Sequence, residues 1–238
     1  MSVQTPLILL QHVFKSYHEG TENEVHALHD VSFRVQEGEF VSIIGQSGSG
    51  KSTLMNCIGC LDLPTSGTYQ FRGIGMEHCR DSFLSRVRNR EIGFIFQGFN
   101  LIAGLTAEEN VEMPLVYRGL SGSERQKRAR EALCLVGLER RMTHRPWQLS
   151  GGQQQRVAIA RAIAAGPSLL LADEPTGNLD SLAGEEIVEL LHRLHRDGKT
   201  ILLITHDSRV ACAAQRTVEI RDGRIVSDRP VSGAHIVL

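Results

Sequence analysis

The chain has 238 residues, with 26 basic and 27 acidic side chains and a formal net charge of −1. This balance excludes a protein that binds nucleic acid through bulk positive charge, and it excludes an acidic disordered tail. The hydrophobic fraction of 41% is typical of a globular protein, while the aromatic fraction of 5% and the 23 glycines favour an aliphatic α/β core with tight turns.

No part of the sequence is patterned as a leader or a membrane span. The N-terminal segment MSVQTPLILLQH lacks the basic residues of a signal peptide. All uninterrupted apolar runs are far shorter than the ~20 residues that cross a bilayer. The five cysteines are therefore predicted to be reduced thiols of a cytoplasmic protein.

The first part of the chain is patterned mainly as strands. Apolar runs and alternations predict strands over Leu7–Tyr17, Ala27–Val35, Phe40–Ile44, Thr68–Arg72 and Ile92–Phe96. A Gly- and Ser-rich segment follows the third of these strands, and an apolar helical pattern then runs to about Cys60. The LPTSG segment at 63–67 predicts a turn.

The rest of the chain changes character twice. Residues 101–147 are patterned as helices with few β-branched side chains, which predicts a helical insertion. Strands and helices then alternate, which predicts a parallel sheet. The predicted elements are helices over Gln153–Ala165 and Gly184–Arg196, strands over Leu169–Ala172 and Ile201–Thr205, and a hairpin around Asp222-Gly223.

One segment has the pattern G-x-x-x-x-G-K-[ST], in the strand-to-helix context that this pattern requires. It consists of Gly45, Gln46, Ser47, Gly48, Ser49, Gly50, Lys51 and Ser52. Glycines let successive backbone N–H groups face one concavity that binds phosphate, and the helix N-terminus adds partial positive charge. We expect Lys51 to reach the β- and γ-phosphates and the Ser52 hydroxyl to coordinate Mg²⁺.

A strand predicted to be buried ends in two carboxylates, Asp173 and Glu174. Ligands of open α/β sheets bind beyond the carboxyl ends of the strands. Asp173 is therefore predicted to hold Mg²⁺, and Glu174 to polarise an attacking water. Taken without the phosphate loop, the two carboxylates would equally well cap the next segment at Pro175-Thr176.

The segment LSGGQ at 149–153 predicts a second anion site. Ser150 is a favourable N-cap, and Gly151 and Gly152 leave the first N–H groups of a helix uncovered. One phosphate chain does not need two helix N-termini from one small domain. We therefore expect a second subunit to use this site.

With this segment the sequence resembles the ATP-binding-cassette (ABC) ATPases over almost its whole length. The family motifs occur in order, as an adenine-stacking aromatic at Tyr17, Walker A over Gly45–Thr53, the Q-loop residue Gln97, the LSGGQ signature, Walker B over Leu169–Glu174, the D-loop over Gly177–Asp180 and the switch histidine His206. The resemblance implies an α/β P-loop NTPase (RecA-like) fold, with a parallel-sheet core, an antiparallel β subdomain and an inserted α-helical subdomain. It implies one cassette over 1–238, with the core and β subdomain at 1–97 and 157–238 and the helical subdomain at 98–156.

The resemblance also implies the cofactors and the role of each site residue. ATP and Mg²⁺ are expected, with ATP bound between two copies of the chain in a homodimer. Glu174 is the expected general base, and the other catalytic residues are His206, Lys51 and Gln97. The expected Mg²⁺ ligands are Ser52, Gln97 and Asp173. The nucleotide is expected to contact Tyr17 and Walker A of one copy, and Ser150, Gly151, Gly152, Gln153 and Asp180 of the other.

Four stretches, CLDLPTSG, IGFIFQGFNLIAGLTAEENVEMPL, LSGGQQQRVAIARAI and LADEPTGNLDS, resemble the MacB, LolD and FtsE branch. That branch implies an integral membrane permease as partner, expected on a separate chain because this sequence stops at Leu238, and it allows a periplasmic adaptor. The cassette is then expected on the cytoplasmic face of the membrane, energising export, efflux or lipoprotein-type extraction. The alternative is an FtsE-like mechanical signalling ATPase, which moves no substrate and has the same catalytic residues.

Three other groupings have plain structural explanations. The CxxC of Cys57–Cys60 is expected to pack in the core. His192 and His195 lie among arginines and predict a solvated face rather than a metal site. The arginine run over 86–90 predicts an exposed face, with contact to a partner or to anionic lipid as the alternative.

Overall fold

The computed structural model describes residues 5–231, so residues 1–4 and 232–238 of the predicted cassette lie outside the described part. The chain divides into two compact units, one that runs to Arg88 and resumes at Thr200, and one over Asn89–Lys199. The predicted helical subdomain, 98–156, lies within the second unit, and its boundaries stay a prediction. Within the described residues, no helix has both the length and the apolar character to span a bilayer.

Strands and helices are mixed along the described chain. The strands are β1 (Ile8–Tyr17), β2 (Val25–Val35), β3 (Phe40–Ile44), β4 (Ser66–Phe71), β5 (Ile74–Gly75), β6 (Ile92–Phe96), β7 (Leu169–Asp173), β8 (Thr200–Thr205), β9 (Arg216–Arg221) and β10 (Arg224–Pro230). The α-helices are α1 (Lys51–Ile58), α2 (Asp81–Glu91), α3 (Ala107–Tyr117), α4 (Gly122–Leu135), α5 (Gly151–Ala164), α6 (Ser181–Arg196) and α7 (Ser208–Ala211).

The first unit contains an antiparallel sheet in the order β2-β1-β4-β5. β1 buries Ile8, Leu10 and Val13. A register shift between Leu10 and Val13 interrupts the pairing with β2, where His12 has a φ of 49°. The predicted antiparallel part of the fold is thus confirmed.

A second set of strands in the same unit is parallel. β3 pairs in parallel with β8 on one side and with β9 on the other, and α1 follows β3 directly in the chain. Four of the five residues of β3 are buried, as expected for a strand covered on both faces. The predicted hairpin joins β9 to β10, and Asp222 and Gly223 have the positive φ angles, 46° and 72°, of a tight hairpin turn.

The second unit combines the parallel pair β6–β7 with the helices α3 to α6. The buried stripe of α6 is the one that the sequence predicts, formed by Ile187, Leu190, Leu191 and Leu194. Helix α3 begins at a capping box in which the Thr106 hydroxyl accepts from Glu109 N–H and the Glu109 carboxylate accepts from Thr106 N–H.

Sequence patterning misses the elements α2, β5 and the four-residue helix α7, and it places several boundaries wrongly. Helix α2 is absent from the prediction because only Leu84 and Val87 of its eleven residues are buried, which leaves a weak helical period. The two-residue strand β5 is too short for any pattern. β4 begins inside the predicted turn, since Ser66 pairs with Phe14. Helices α5 and α6 begin two and three residues earlier than predicted, directly after their N-caps.

The cysteine pair, the two histidines and the arginine run differ in how well the structure agrees with their predicted environments. Cys57 and Cys60 are 0% and 2% exposed and are free thiols, which confirms core packing. His192 and His195 are half-buried rather than fully solvated. Of the arginine run, Arg88 donates to the carbonyl of Cys60 at 2.7 Å, so it has a structural partner. In residues 5–231 no group of three or more His, Cys, Asp or Glu side chains is placed to hold a metal.

Candidate functional site

The phosphate loop of the first unit connects β3 to α1. Gly50 is the N-cap of α1 in a left-handed conformation, with a φ of 104° and no side-chain cap, so the N-terminal N–H groups of the helix are not covered by a capping side chain. Lys51 is 9% exposed, and its Nζ donates to the carbonyl oxygens of Gly45 at 2.8 Å and Gln46 at 2.7 Å. The ammonium group is therefore held across the loop.

Two glycines of the loop, Gly45 and Gly50, are packed too closely for a larger residue. A Cβ on Gly45 would lie 2.3 Å from the carbonyl oxygen of Ile220, and one on Gly50 would lie 2.7 Å from that of Ala27. The hydroxyl of Ser49 is buried with no hydrogen-bond partner among the residues described. Because an unpaired buried hydroxyl is costly, this group fits a loop built to receive a polar ligand such as a phosphate.

Tyr17 ends β1 beside the start of α1. Burial raises the pKa of its hydroxyl above the ordinary value, and the side chains of Thr53 and Asp62 also influence that pKa. Nζ of Lys15 lies 5.0 Å from the centroid of the Tyr17 ring. The structure thus brings the predicted adenine-stacking residue to the last residue of Walker A.

His206 lies one strand away from the phosphate loop. Ile44 and Thr205 are paired at the ends of the parallel strands β3 and β8. Gly45 and His206 therefore leave the sheet side by side, and His206 is exposed.

The second unit places Gln97 next to the two carboxylates. Phe96 of β6 is paired with Asp173 of β7, so Gln97 and Glu174 follow adjacent strand ends. Glu174 has a φ of 47°, a left-handed conformation that is uncommon for a residue other than glycine. Asp173, predicted as a metal ligand, is the last residue of β7.

The signature segment begins α5 with a capping box. Gln153 N–H donates to the Ser150 hydroxyl at 3.3 Å, and Ser150 N–H donates to Gln153 Oε1 at 3.1 Å. The predicted N-cap is therefore observed. The N–H groups of Gly151 and Gly152 are not those bound by this cap, and the Ser150 hydroxyl keeps its own hydrogen as a donor.

Asp180 has a local structural role in this unit. Its Oδ1 accepts from Ala183 N–H at 2.9 Å and caps α6. The predicted role of Asp180 toward a partner's nucleotide stays a prediction.

Three residues near these motifs received no role from the sequence. Lys15 donates to Asp62 Oδ1 at 2.6 Å. It lies two residues before Tyr17, a spacing that puts both side chains on one face of β1 and could have indicated that Lys15 lies near the site. Arg161 of α5 donates to the carbonyls of Phe99 and Asn100. Arg161 is the one charged residue in the apolar stretch VAIARAIA, a pattern that predicts a hydrogen-bond acceptor for its guanidinium group.

The third is Asn178, whose side chain binds Gln97. No local pattern signals this contact, because the two residues are 81 positions apart.

Comparison with known proteins identifies the family. The family model described as ABC transporter matches residues 28–177. The macrolide export ATP-binding/permease protein MacB of Hyphomonas neptunium is 53% identical over 223 residues, which are 94% of this chain and 34% of MacB. An uncharacterised ABC transporter ATP-binding protein of Thermotoga maritima is 56% identical over 213 residues, covering 90% of this chain and 91% of that protein.

A solved structure gives the same result for the fold. The dimeric post-hydrolysis state of the ATP-binding cassette MJ0796, bound to ADP and Pi, superposes with a TM-score of 0.86 at 49% identity, covering 95% of this chain and 99% of that chain. The predicted P-loop NTPase fold class is therefore confirmed. The chain spans about a third of the length of the MacB-type relatives that it matches. From the family match over Walker A, the signature and Walker B together with this superposition, it follows that the chain belongs to the ABC transporter family as an ATP-binding cassette ATPase.

Proposed function

We propose that the chain binds ATP with Mg²⁺ and that two copies pair on the nucleotide, each using its Walker A loop and its partner's signature segment. The observation that carries the proposal is the phosphate loop, where the buried Lys51, the unpaired Ser49 hydroxyl and the start of α1 occur together. The dimeric state of MJ0796 with ADP and Pi supports the pairing.

Each site residue has a role suited to its chemistry. Lys51 and the N-terminus of α1 supply positive charge to the phosphates, and Tyr17 offers a ring face to the adenine. Glu174 is the general base that accepts a proton from the attacking water, and His206 holds that water in line. Mg²⁺, when bound, neutralises charge that develops on the phosphate oxygens, and the donors Ser52, Gln97 and Asp173 are the oxygen ligands that this ion prefers.

The signature segment suits the phosphate of a nucleotide held by a second copy. The Ser150 hydroxyl and the N–H groups of Gly151 and Gly152 are donors at a helix N-terminus. Hydrolysis removes the γ-phosphate and with it the contact between the copies. We assign Asp180 to the same interface between the two copies.

The partner that we propose is a membrane permease of the MacB type, with the cassette bound on its cytoplasmic face and an adaptor protein on the other side of the membrane. The similarity to MacB, an export protein, favours export over mechanical signalling. Purification from solubilised membranes, followed by mass spectrometry of the bound proteins, tests this assignment. Recovery of a permease with a large extracytoplasmic domain is expected, and recovery of a cell-wall regulatory complex would favour signalling instead.

The pairing and the base are tested by Glu174→Gln, because the amide keeps the size of the side chain but does not accept the proton. We expect this variant to bind ATP, to form a dimer in light-scattering measurements and to release no phosphate. Glu139→Gln is a matched control, since it makes the same change at an exposed glutamate. Hydrolysis by Glu174→Gln at the wild-type rate would remove Glu174 as the base, and a monomer with saturating ATP would contradict the pairing.

A further inference from the structure

Two side-chain amides of the second unit are joined by a reciprocal contact. Gln97 Nε2 donates to Asn178 Oδ1 at 3.2 Å, and Asn178 Nδ2 donates to the main-chain oxygen of Gln97 at 3.0 Å. Gln97 also lies against Gly177, where an added Cβ would lie 2.7 Å from its Nε2. Asn178 thus binds both the side chain and the backbone of Gln97.

This contact fixes which way the Gln97 amide faces. A main-chain carbonyl only accepts, so the Asn178 atom that binds it must be the nitrogen. The other end of the Asn178 amide is then an oxygen, which requires the nitrogen of Gln97 as its donor. Oε1 of Gln97 is left turned away from Asn178, and it has no hydrogen-bond partner among the residues described.

Both partners of the contact lie on segments whose main chain is held by further hydrogen bonds. The segment that carries Asn178 is a turn in which Gly177 N–H donates to Glu174 O at 3.0 Å and Leu179 N–H donates to Thr176 O at 3.1 Å. On the other side, Arg161 fixes the carbonyls of Phe99 and Asn100, just beyond Gln97. The contact therefore joins two supported backbones rather than two free side chains.

We propose that Asn178 is a positioning residue that orients the side-chain amide of Gln97, so that Oε1 is presented as a ligand for Mg²⁺ or for the water that the ion holds. The inference rests on the proposed function, in which Gln97 is a metal ligand, and it adds a residue that determines how that ligand is presented. Hydrogen-bond partners of metal ligands commonly have this effect, and their loss weakens metal binding about tenfold or more.

The test is the affinity of the nucleotide-bound protein for Mn²⁺, measured by electron paramagnetic resonance as the paramagnetic substitute for Mg²⁺. Glu174→Gln with ATP is the parent protein, because it prevents turnover during the measurement. Asn178→Ala is expected to weaken Mn²⁺ binding about tenfold. Added to Gln97→Ala, the same change is expected to have no further effect, because Asn178 acts through Gln97.

Asn89→Ala is the matched control. It removes an asparagine amide that donates to a main-chain oxygen, that of Pro114 at 2.9 Å, and it leaves Gln97 untouched. We expect it to leave Mn²⁺ affinity unchanged, and thermal melting of every variant separates loss of folding from loss of metal.

The inference is overturned if Asn178→Ala binds Mn²⁺ as the parent does. It is also overturned if the change has an equally large effect in the Gln97→Ala background, since Asn178 would then act independently. A parent protein that binds no Mn²⁺ with ATP is a different result, because it overturns the proposed function and this inference with it.

Discussion

The side chain of Lys15 is largely buried in the first unit. Nζ donates to Asp62 Oδ1 at 2.6 Å and to the carbonyl of Leu63 at 2.8 Å, and only 11% of the Lys15 side chain is exposed. Burial tends to raise the pKa of Asp62, but the bonds from Lys15 and from Leu63 N–H outweigh it and hold that pKa below its ordinary value. The pair therefore contributes to stability wherever Asp62 is ionised.

Lys15→Met is expected to lower the free energy of unfolding by about 1 to 2 kcal/mol at neutral pH, because it removes the charged donor that the Asp62 carboxylate and the Leu63 carbonyl share. Urea denaturation measures this change. A group with a lowered pKa stabilises the fold above its unfolded pKa, so the difference between the two proteins should shrink as the pH falls below about 4.

Arg196→Met provides the control for that change. Arg196 pairs with Glu189 at 2.8 Å, but the two side chains are 55% and 53% exposed, so its loss should cost less than about 0.5 kcal/mol. Equal losses for the two variants would contradict a special role of the buried Lys15.

The cysteines should differ sharply in reactivity. Burial raises the pKa of Cys57 to about 12, so at pH 8 only about one thiol in ten thousand is the reactive thiolate. Cys134 and Cys212 are exposed. Iodoacetamide at pH 8, followed by peptide mass spectrometry, should label these two first and reach Cys57 and Cys60 only in urea. Labelling of native Cys57 as fast as Cys134 would be inconsistent with its place in the core.

At the level of elements, three helices of the second unit begin at an N-cap with a hydroxyl side chain. Thr106 caps α3, Ser121 caps α4 and Ser150 caps α5, each accepting from the N–H three residues ahead. The caps of α3 and α5 are both full capping boxes, so they allow a matched comparison. Only the cap of α5 belongs to the signature segment.

Thr106→Ala and Ser150→Ala are each expected to lower stability by about 1 kcal/mol, because each removes the side-chain acceptor of a helix N-terminus. Only Ser150→Ala should also weaken the ATP-dependent dimer, since its hydroxyl is proposed to donate to the partner's nucleotide. Urea denaturation and light scattering measure the two effects. If both variants weakened the dimer alike, the effect would belong to helix stability and not to the signature.

At the scale of the whole molecule, pairing on ATP makes stability depend on protein concentration. A ligand at a hundred times its Kd stabilises the folded state by about 2.7 kcal/mol, and a ligand that also joins two copies adds the free energy of their association. In the Glu174→Gln protein, the melting temperature with ATP should therefore rise when the protein concentration is increased, whereas with ADP it should not.

Differential scanning fluorimetry over a hundredfold range of protein concentration measures this effect. Lys51→Met is the control, because it removes the cation held across the phosphate loop and should abolish the ATP-dependent rise. A melting temperature that is independent of concentration with ATP would indicate that the folded unit is a monomer under all conditions.

The sequence by itself determined the features that are encoded in contiguous residues. The phosphate loop, the Ser150 cap, the Asp222-Gly223 turn and the buried stripe of α6 depend on local backbone preferences and helical spacing, and the structure has each of them where they were predicted. Helix α2 shows the limit, because a helix with only two buried residues has too little apolar period to be recognised.

Only the tertiary structure decided which distant residues meet. The pairing of Phe96 with Asp173 brings Gln97 beside Glu174. Lys15 binds Asp62, which is 47 positions away in the sequence, and Gln97 binds Asn178, which is 81 positions away. Such contacts are set by strand register and loop packing, which leave no periodic signal in the residues themselves. The candidate site residues could therefore be predicted from the sequence motifs, whereas the orientation of the Gln97 amide became visible only once the chain was folded.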